Sequence, residues 1–287
     1  MTDRGAVGIG AVACGLVLAV AGAVPAAASP GGLPEPLRCR AFEPGPVRLP
    51  PGALDRVQRR LAHAPDTLGL VVTDTATNVR CVHRPTFTAA SASTVKPIVV
   101  AALAAQQEAA GEWLTEDQQE LARRAIVLSA NRATTEMWQQ IGGRRGLADY
   151  AKILDLDLVA HRAWGGTDVT PDVLNRFARL LLAGPRKGLS ETTRAFLLDL
   201  MRDTAPWQRW GVRSGMSESA GNKNGWYRSR DTDGWRLHSF GFMTTAVTDR
   251  TMAVMSLHNP GYYTGVRYLS RLARAVNRAL DGGTGRG

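Results

Sequence analysis

Ser91-Ala-Ser-Thr-Val-Lys-Pro97 joins a run of small polar residues to the apolar segment Ile98-Val-Val-Ala-Ala-Leu-Ala-Ala105. Ser93 and Lys96 stand three apart, so on a helix they share one face and the amine can lie beside the hydroxyl. A serine hydroxyl needs such a neighbouring base before it acts as a nucleophile. The first turn of the helix also leaves backbone N–H groups free to meet an oxyanion. Pro97 has no N–H to offer the Ser93 carbonyl, which predicts a distorted first turn with the helix continuing beyond it. Serine and lysine at this spacing are common by chance, so the rest of the chain must decide whether the pair means anything.

Upstream, Leu54-Asp-Arg-Val-Gln-Arg-Arg-Leu-Ala62 reads as an amphipathic helix stopped by Pro65. Leu68–Asp74 reads as a strand, Thr75–Asn78 as a turn and Val79–His83 as its antiparallel partner. Downstream comes a block of helices. Thr115-Glu-Asp-Gln118 has a capping-box pattern and opens a helix that ends at Ser129-Ala-Asn131. Another helix spans Thr134–Ile141 and stops at Gly142-Gly143, and residues 154–170 read as irregular. From Pro171, the residues Val173, Leu174, Phe177, Leu180 and Leu181 recur with a helical period, and Glu191–Met201 follows as a further helix. The last third reads as strands at Asn222–Tyr227, Trp235–Met243 and Thr251–Leu257, then a helix with Val266, Leu269, Ala273, Val276 and Leu280 inward. This order predicts an α+β fold: an antiparallel sheet built from both chain ends and packed with helices, with an all-helical subdomain inserted at about 93–203. A cleft between the two parts is the natural site.

The chain has 287 residues, 44% hydrophobic and 21% charged, ample for one substantial domain, placed here at 53–281 with a short tail at 282–287. Residues 1–28 read as an export signal: Arg4 precedes an apolar run ending in Ala26-Ala-Ala28. An uncleaved anchor is the alternative, because the run approaches membrane-spanning length. Residues 29–52 hold seven prolines and read as a stiff, extended leader without packed elements. Cys14 falls in the signal, which leaves Cys39 and Cys81; in an oxidising compartment these are expected to form one disulfide tying leader to domain. The formal charge of +10 suits a basic soluble surface and also attraction to anionic cell-wall polymers. Its Lys and Arg residues are scattered and no nucleic-acid fold signature is present, so nucleic acid is not an expected partner. His63, His83, His161, His238 and His258 show no metal-ligand spacing, and there is no G-x-S-x-G, phosphate loop or dinucleotide motif in the mature chain. No metal or cofactor is expected, and a monomer is.

Three motifs now stand in one order: Ser93-Thr-Val-Lys96, Ser129-Ala-Asn131 and Lys223-Asn-Gly225. The set resembles the S-x-x-K, S-x-N and K-T-G motifs of the class A β-lactamases and penicillin-binding proteins. Ala125–Asn131 running on to Gly143, and Asp168-Val-Thr-Pro171 before an apolar helix, are similar to that superfamily as well, and the likeness spans about Leu54 to Leu280. The resemblance implies that Ser93 is acylated, Lys96 is the base and Ser129 relays a proton to the leaving nitrogen. It further implies that Asn131 holds the substrate amide and that Lys223, with Asn224 and Gly225, receives the substrate carboxylate. Backbone N–H groups of Ser93 and Trp226 would form the oxyanion hole, and Arg236 on the next strand could also face the carboxylate. Trp207, Trp210 and Trp235 read as core or as a cleft wall, and His238 as a structural histidine.

The departures are informative. Asn224 replaces the Thr or Ser of K-T-G, Ala130 replaces the Asp of S-D-N, and Ser93 and Ser129 are closer in sequence than in class A enzymes. No glutamate lies between Gly146 and Pro171, only Asp149, Asp155, Asp157 and Asp168, and Asp168 suits a loop-closing role. Class A enzymes use a loop glutamate to free the acyl-enzyme. The expectation is therefore an exported serine hydrolase acylated by β-lactams or by D-Ala-D-Ala-type peptidoglycan stem peptides, with slow or non-standard deacylation. The rival readings are a pseudoenzyme that binds wall fragments or a partner through the same cleft, and a purely structural envelope protein.

Overall fold

The computed structural model describes residues 35–64, 67–229 and 234–282. The expected signal segment, the start of the leader and most of the expected tail fall outside these residues. Among them, no helix is long and apolar enough to cross a membrane.

In chain order the elements are β1 (Arg38–Ala41), α1 (Asp55–Leu61), β2 (Leu68–Asp74), β3 (Val79–His83) and β4 (Ala89–Ala90). Then come α2 (Lys96–Ala109), α3 (Glu116–Val127), α4 (Asn131–Gln140), α5 (Gly143–Ile153), β5 (Asp168–Val169), α6 (Pro171–Leu182) and α7 (Glu191–Arg202). The chain closes with β6 (Gly221–Arg228), β7 (Trp235–Thr244), β8 (Asp249–Asn259) and α8 (Tyr262–Asp281). Six strands form one antiparallel sheet in the order β1-β3-β2-β8-β7-β6, so the first and last thirds of the chain meet at β2 and β8. This is the expected α+β architecture.

Strand alternation divides the core in two. Leu68, Leu70 and Val72 of β2 and Met252 and Val254 of β8 face α1 and α8, where Leu269, Leu272, Ala273 and Val276 complete the layer. Ala253 and Met255 of β8 and Phe240 and Phe242 of β7 face the helical part, packed around α2, which is buried from Lys96 to Ala104. The helix α6 lies on the sheet through Phe177, and its buried Asn175 is tied to both central strands: Thr73 Oγ1 donates to it at 3.1 Å and it donates to Thr251 Oγ1 at 3.0 Å. The capping box at Thr115 and Gln118 is formed as read.

Two elements differ from the sequence reading. Residues 143–153, passed over after Gly142-Gly143, form α5, whose buried Leu147, Tyr150 and Ala151 have a helical period. Gly142, at φ 85°, turns the chain from α4 into α5. The leader is not wholly without packed structure either, since Arg38–Ala41 pairs with β3 as the edge strand.

The expected disulfide is present: Cys39 and Cys81 are directly opposed across β1 and β3 and bonded. The bridge closes a loop of sequence separation 42. In the chain-entropy treatment that constraint is worth about 4 kcal/mol. Cys39→Ser with Cys81→Ser should therefore lower the melting temperature by about 8–16 °C, and an unchanged melt would refute the assignment.

A polar knot ties the sheet to α8. Asp74 accepts from Thr77 N at 2.9 Å and Thr77 Oγ1 at 2.6 Å, and its other oxygen accepts from Thr248 Oγ1 at 3.0 Å and Arg250 Nε at 2.7 Å. Arg250 Nη1 then donates to Asp281 at 2.9 Å and to Asn277 Oδ1 at 3.3 Å. Both Asp74 and Arg250 are fully buried.

Candidate active site

The distorted turn expected at Pro97 is a 3-10 turn over Ala92–Val95, leading directly into α2. Ala92 enters it at φ 49°, a conformation that is uncommon for residues other than glycine. From Ser91 to Ala104 every residue is buried except Ser93. Its hydroxyl makes no hydrogen bond with the described residues, and it lines a cleft of about 510 Å³.

Lys96 is completely buried below that cleft. Its ammonium donates to Ser129 O at 2.7 Å and Asn131 Oδ1 at 2.9 Å and reaches Ser129 Oγ at 3.4 Å. Ser129 sits at φ 56° in the connection between α3 and α4, which turns its carbonyl and hydroxyl together toward the lysine. From the opposite side Lys223 Nζ donates to the same hydroxyl at 2.9 Å, to Gln208 Oε1 at 3.0 Å and to Asn224 O at 3.0 Å. Two ammonium groups from distant parts of the chain thus converge on one serine oxygen. Burial lowers the Lys96 pKa to about 7. Burial, and then the nearby Lys96, push Lys223 well down as well. Both amines are drawn toward the neutral form that a base requires.

The pleat of β6 explains the third motif. Lys223 and Gly225 are paired with Phe240 and His238 and face the helical side, whereas Asn224 is paired with Ser239 and faces α8. A Cβ on Gly225 would stand 2.8 Å from Ser91 O and 2.8 Å from Ser93 N, so glycine lets the strand close against the serine turn. The sequence reading of Asn224 as a carboxylate ligand needs correction. Its buried amide donates to Gln208 O at 2.6 Å and Trp210 O at 3.4 Å, on the face of β6 away from Lys223 and Ser129. One residue out of phase with Lys223, its side chain is bound to leave by the other face.

Trp226 lines the cleft and packs edge-on against Trp207 and Trp210, at centroid distances of 5.9 and 6.2 Å. Trp207 is 55% exposed and Trp210 is buried. Trp235 packs edge-on against Tyr262 farther along. Arg236 lies opposite Tyr227 with its guanidinium 5.1 Å from that ring, beside the cleft and not among its lining residues. His238 is buried beneath the serine turn, 3.2 Å from Ala90 O, and burial lowers its pKa to about 4. The imidazole is therefore neutral, and it lies outside the cleft lining.

Sequence reasoning missed three contributors. Trp164 lies over Lys96 at 4.8 Å, fixed by a hydrogen bond from its indole to Thr135 Oγ1 at 3.1 Å. It is the only Trp, Tyr or Phe between Tyr150 and Phe177, a signal within a loop otherwise read as irregular. That loop is clipped to the serine turn by β4–β5 pairing and by Ser91 N donating to Thr167 O at 2.7 Å. Gln208 carried no sequence signal, and Tyr227, also in the cleft wall, was read only as strand. No carboxylate is among the cleft-lining residues. Asp168 pairs with His161 at 2.9 Å and Asp155 with Arg176 at 2.6 Å. Among the described residues, no cluster of His, Cys, Asp or Glu could hold a metal ion.

Among solved structures, a variant of the last common ancestor of Gram-negative bacteria class A β-lactamase superposes with TM-score 0.64 at 18% identity, covering 80% of this chain and 97% of the other. PBP-A superposes with TM-score 0.69 at 18% identity over 83% of this chain and 99% of its own. The fold is that of the class A β-lactamases and PBP-A. The TLA-3 extended-spectrum β-lactamase carries this β-lactamase-like fold too, at TM-score 0.69 and 12% identity over 80% of this chain and 98% of the other. A PBP-A mutant is known as an acyl-enzyme complex with penicillin G. No family model and no curated protein sequence matches the chain.

Proposed function

We propose that this protein is an exported serine acyl-transfer enzyme that opens β-lactams or cleaves D-Ala-D-Ala-type peptide bonds through an acyl-Ser93 intermediate, and that releases the acyl group slowly. The observation that carries the proposal is the convergence of Lys96, Ser129, Asn131 and Lys223 beneath a serine that is itself open to a cleft. Ser93 Oγ attacks the carbonyl and its proton passes to neutral Lys96. Ser129, held between the two lysines, carries a proton to the departing nitrogen. An arriving substrate carboxylate favours the charged form of Lys223, which receives it, and Asn131 holds the substrate amide. The N–H groups of Ser93 and Trp226 receive the oxyanion, each donor worth about 3–4 kcal/mol in comparable sites. Slow release is supported by the cleft lining, which has no carboxylate to activate water, and by Trp164 covering Lys96.

The test is intact-protein mass spectrometry with benzylpenicillin, followed by peptide mapping, alongside turnover of a chromogenic cephalosporin. A long-lived adduct on the Ser93 peptide with little turnover is expected. Rapid turnover would refute slow deacylation. A second reading, a wall-fragment-binding pseudoenzyme, draws on Lys96 being engaged by Ser129 and Asn131 with no hydrogen bond to Ser93. Absence of any adduct, together with retained binding to isolated cell wall, would select it.

A further inference from the structure

At the far rim of the sheet from β6, a second pocket of about 510 Å³ lies between β1, β3 and α6. It is lined by Arg40, Phe42, Arg80, Asp172, Arg176 and Arg179, and shares no residue with the Ser93 cleft. Its construction is deliberate in two respects. Asp172, Arg176 and Arg179 fall on one face of α6. Arg40 and Arg80 are direct cross-strand partners, at the register next to the Cys39–Cys81 bridge. Like charges directly opposed in a sheet are destabilising, and here the adjacent disulfide holds them together.

The charges are only partly answered. Arg80 is paired with Asp172, and Arg176 with Asp155 at 2.6 Å. Arg40 and Arg179 have no carboxylate partner among the described residues, and Arg176 Nε is buried without a hydrogen bond. Four guanidiniums against two carboxylates leave two positive charges. The Arg179 guanidinium is set over the Phe42 ring at 4.6 Å, a contact that favours this position before any ligand arrives. Burial above all, then the neighbouring Arg80 and Arg176, lowers its pKa against the opposing effect of Asp172.

We propose that this pocket binds a phosphate group carried on a small polyol or sugar. Planar guanidiniums present paired donors to phosphate oxygens, the surplus charge matches a phosphate dianion, and the volume leaves room for the carrier.

The test is calorimetric titration of the whole protein with glycerol 3-phosphate, with glutarate as the carboxylate control and poly(glycerol phosphate) as the polymer. Saturable binding of glycerol 3-phosphate is expected, weakened at least about tenfold in R40Q/R179Q. Relief of the Arg40–Arg80 repulsion offsets loss of the Arg179–Phe42 contact, so that variant should melt within a few degrees of the wild type, and lost binding is then not lost folding. Covalent labelling of Ser93 by penicillin should be unchanged, which separates this proposal from the one for the Ser93 cleft. Tighter binding of the polymer per phosphate identifies a wall-type chain as the source, and equal affinity a free phosphorylated compound; both bear the assignment out. No saturable heat, equal affinity for glutarate, or binding indifferent to R40Q/R179Q would overturn it.

Discussion

Ser93→Ala is expected to abolish the penicillin adduct outright, and Lys96→Ala to slow its formation by a factor on the order of 10² to 10⁴, the range for a lost general base. The two variants should differ in kind. Without the Ser93 hydroxyl no covalent bond can form. Without the Lys96 amine the hydroxyl remains, open to the cleft, and water takes the proton poorly. The pH profile gives an independent check. Lys96 must be neutral to accept the proton, and burial brings its pKa down to about 7. The ammonium therefore dominates below that pH, and the acylation rate should fall about tenfold per pH unit there and level off above it. In Lys96→Ala this limb should vanish. A wild-type rate that is flat from pH 5 to pH 8, or a Lys96→Ala rate equal to wild type, would show that the proton goes elsewhere.

The second large effect concerns stability. Asp74→Ala removes the carboxylate that receives Arg250 Nε, Thr248 and both groups of Thr77 in the buried knot between β2, β8 and α8. Breaking one partner of a buried pair costs about 3–5 kcal/mol, and Arg250 then keeps only Asp281 and Asn277 of the partners described above. For a domain of this size that is a fall of about 6–20 °C in melting temperature. Adding Arg250→Met to Asp74→Ala should recover much of the loss, because an apolar replacement of a whole buried pair is often near neutral. A thermal melt of the single and double variants checks this. Equal destabilisation in both would mean that Arg250 owes its stability to Asp281 and Asn277 alone.

Much of the fold was legible in the sequence for identifiable reasons. β2 is a short apolar run closed by a turn, β3 alternates with a period of two, α6 has a clean helical period, and the capping box at Thr115 states its own geometry. β1 was hidden because its four residues are mostly exposed, and only Cys39 hints that it pairs. α5 was hidden because Gly142 and Gly143 at its start signal a stop, although Gly142 only turns the chain from one helix into the next. In the site, Ser93, Lys96, Ser129, Asn131 and Lys223 could be found because chemistry restricts their types. Asn224 was misread through substitution logic, where strand alternation alone would have turned it from the cleft. Trp164 and Gln208 act by covering and buttressing the lysines, roles that many residue types could fill and that no spacing announces.

The four-residue β1, bearing Arg38 and Arg40, has one further consequence. Exposed rims of sheets invite strands from neighbouring molecules, and short, charged border strands discourage such recruitment. Were the Cys39–Cys81 tether cut and β1 released, the alternating Val79-Arg-Cys-Val-His83 would become the new border, with its backbone donors and acceptors free. Reducing conditions should then favour self-association of the folded protein well before it unfolds.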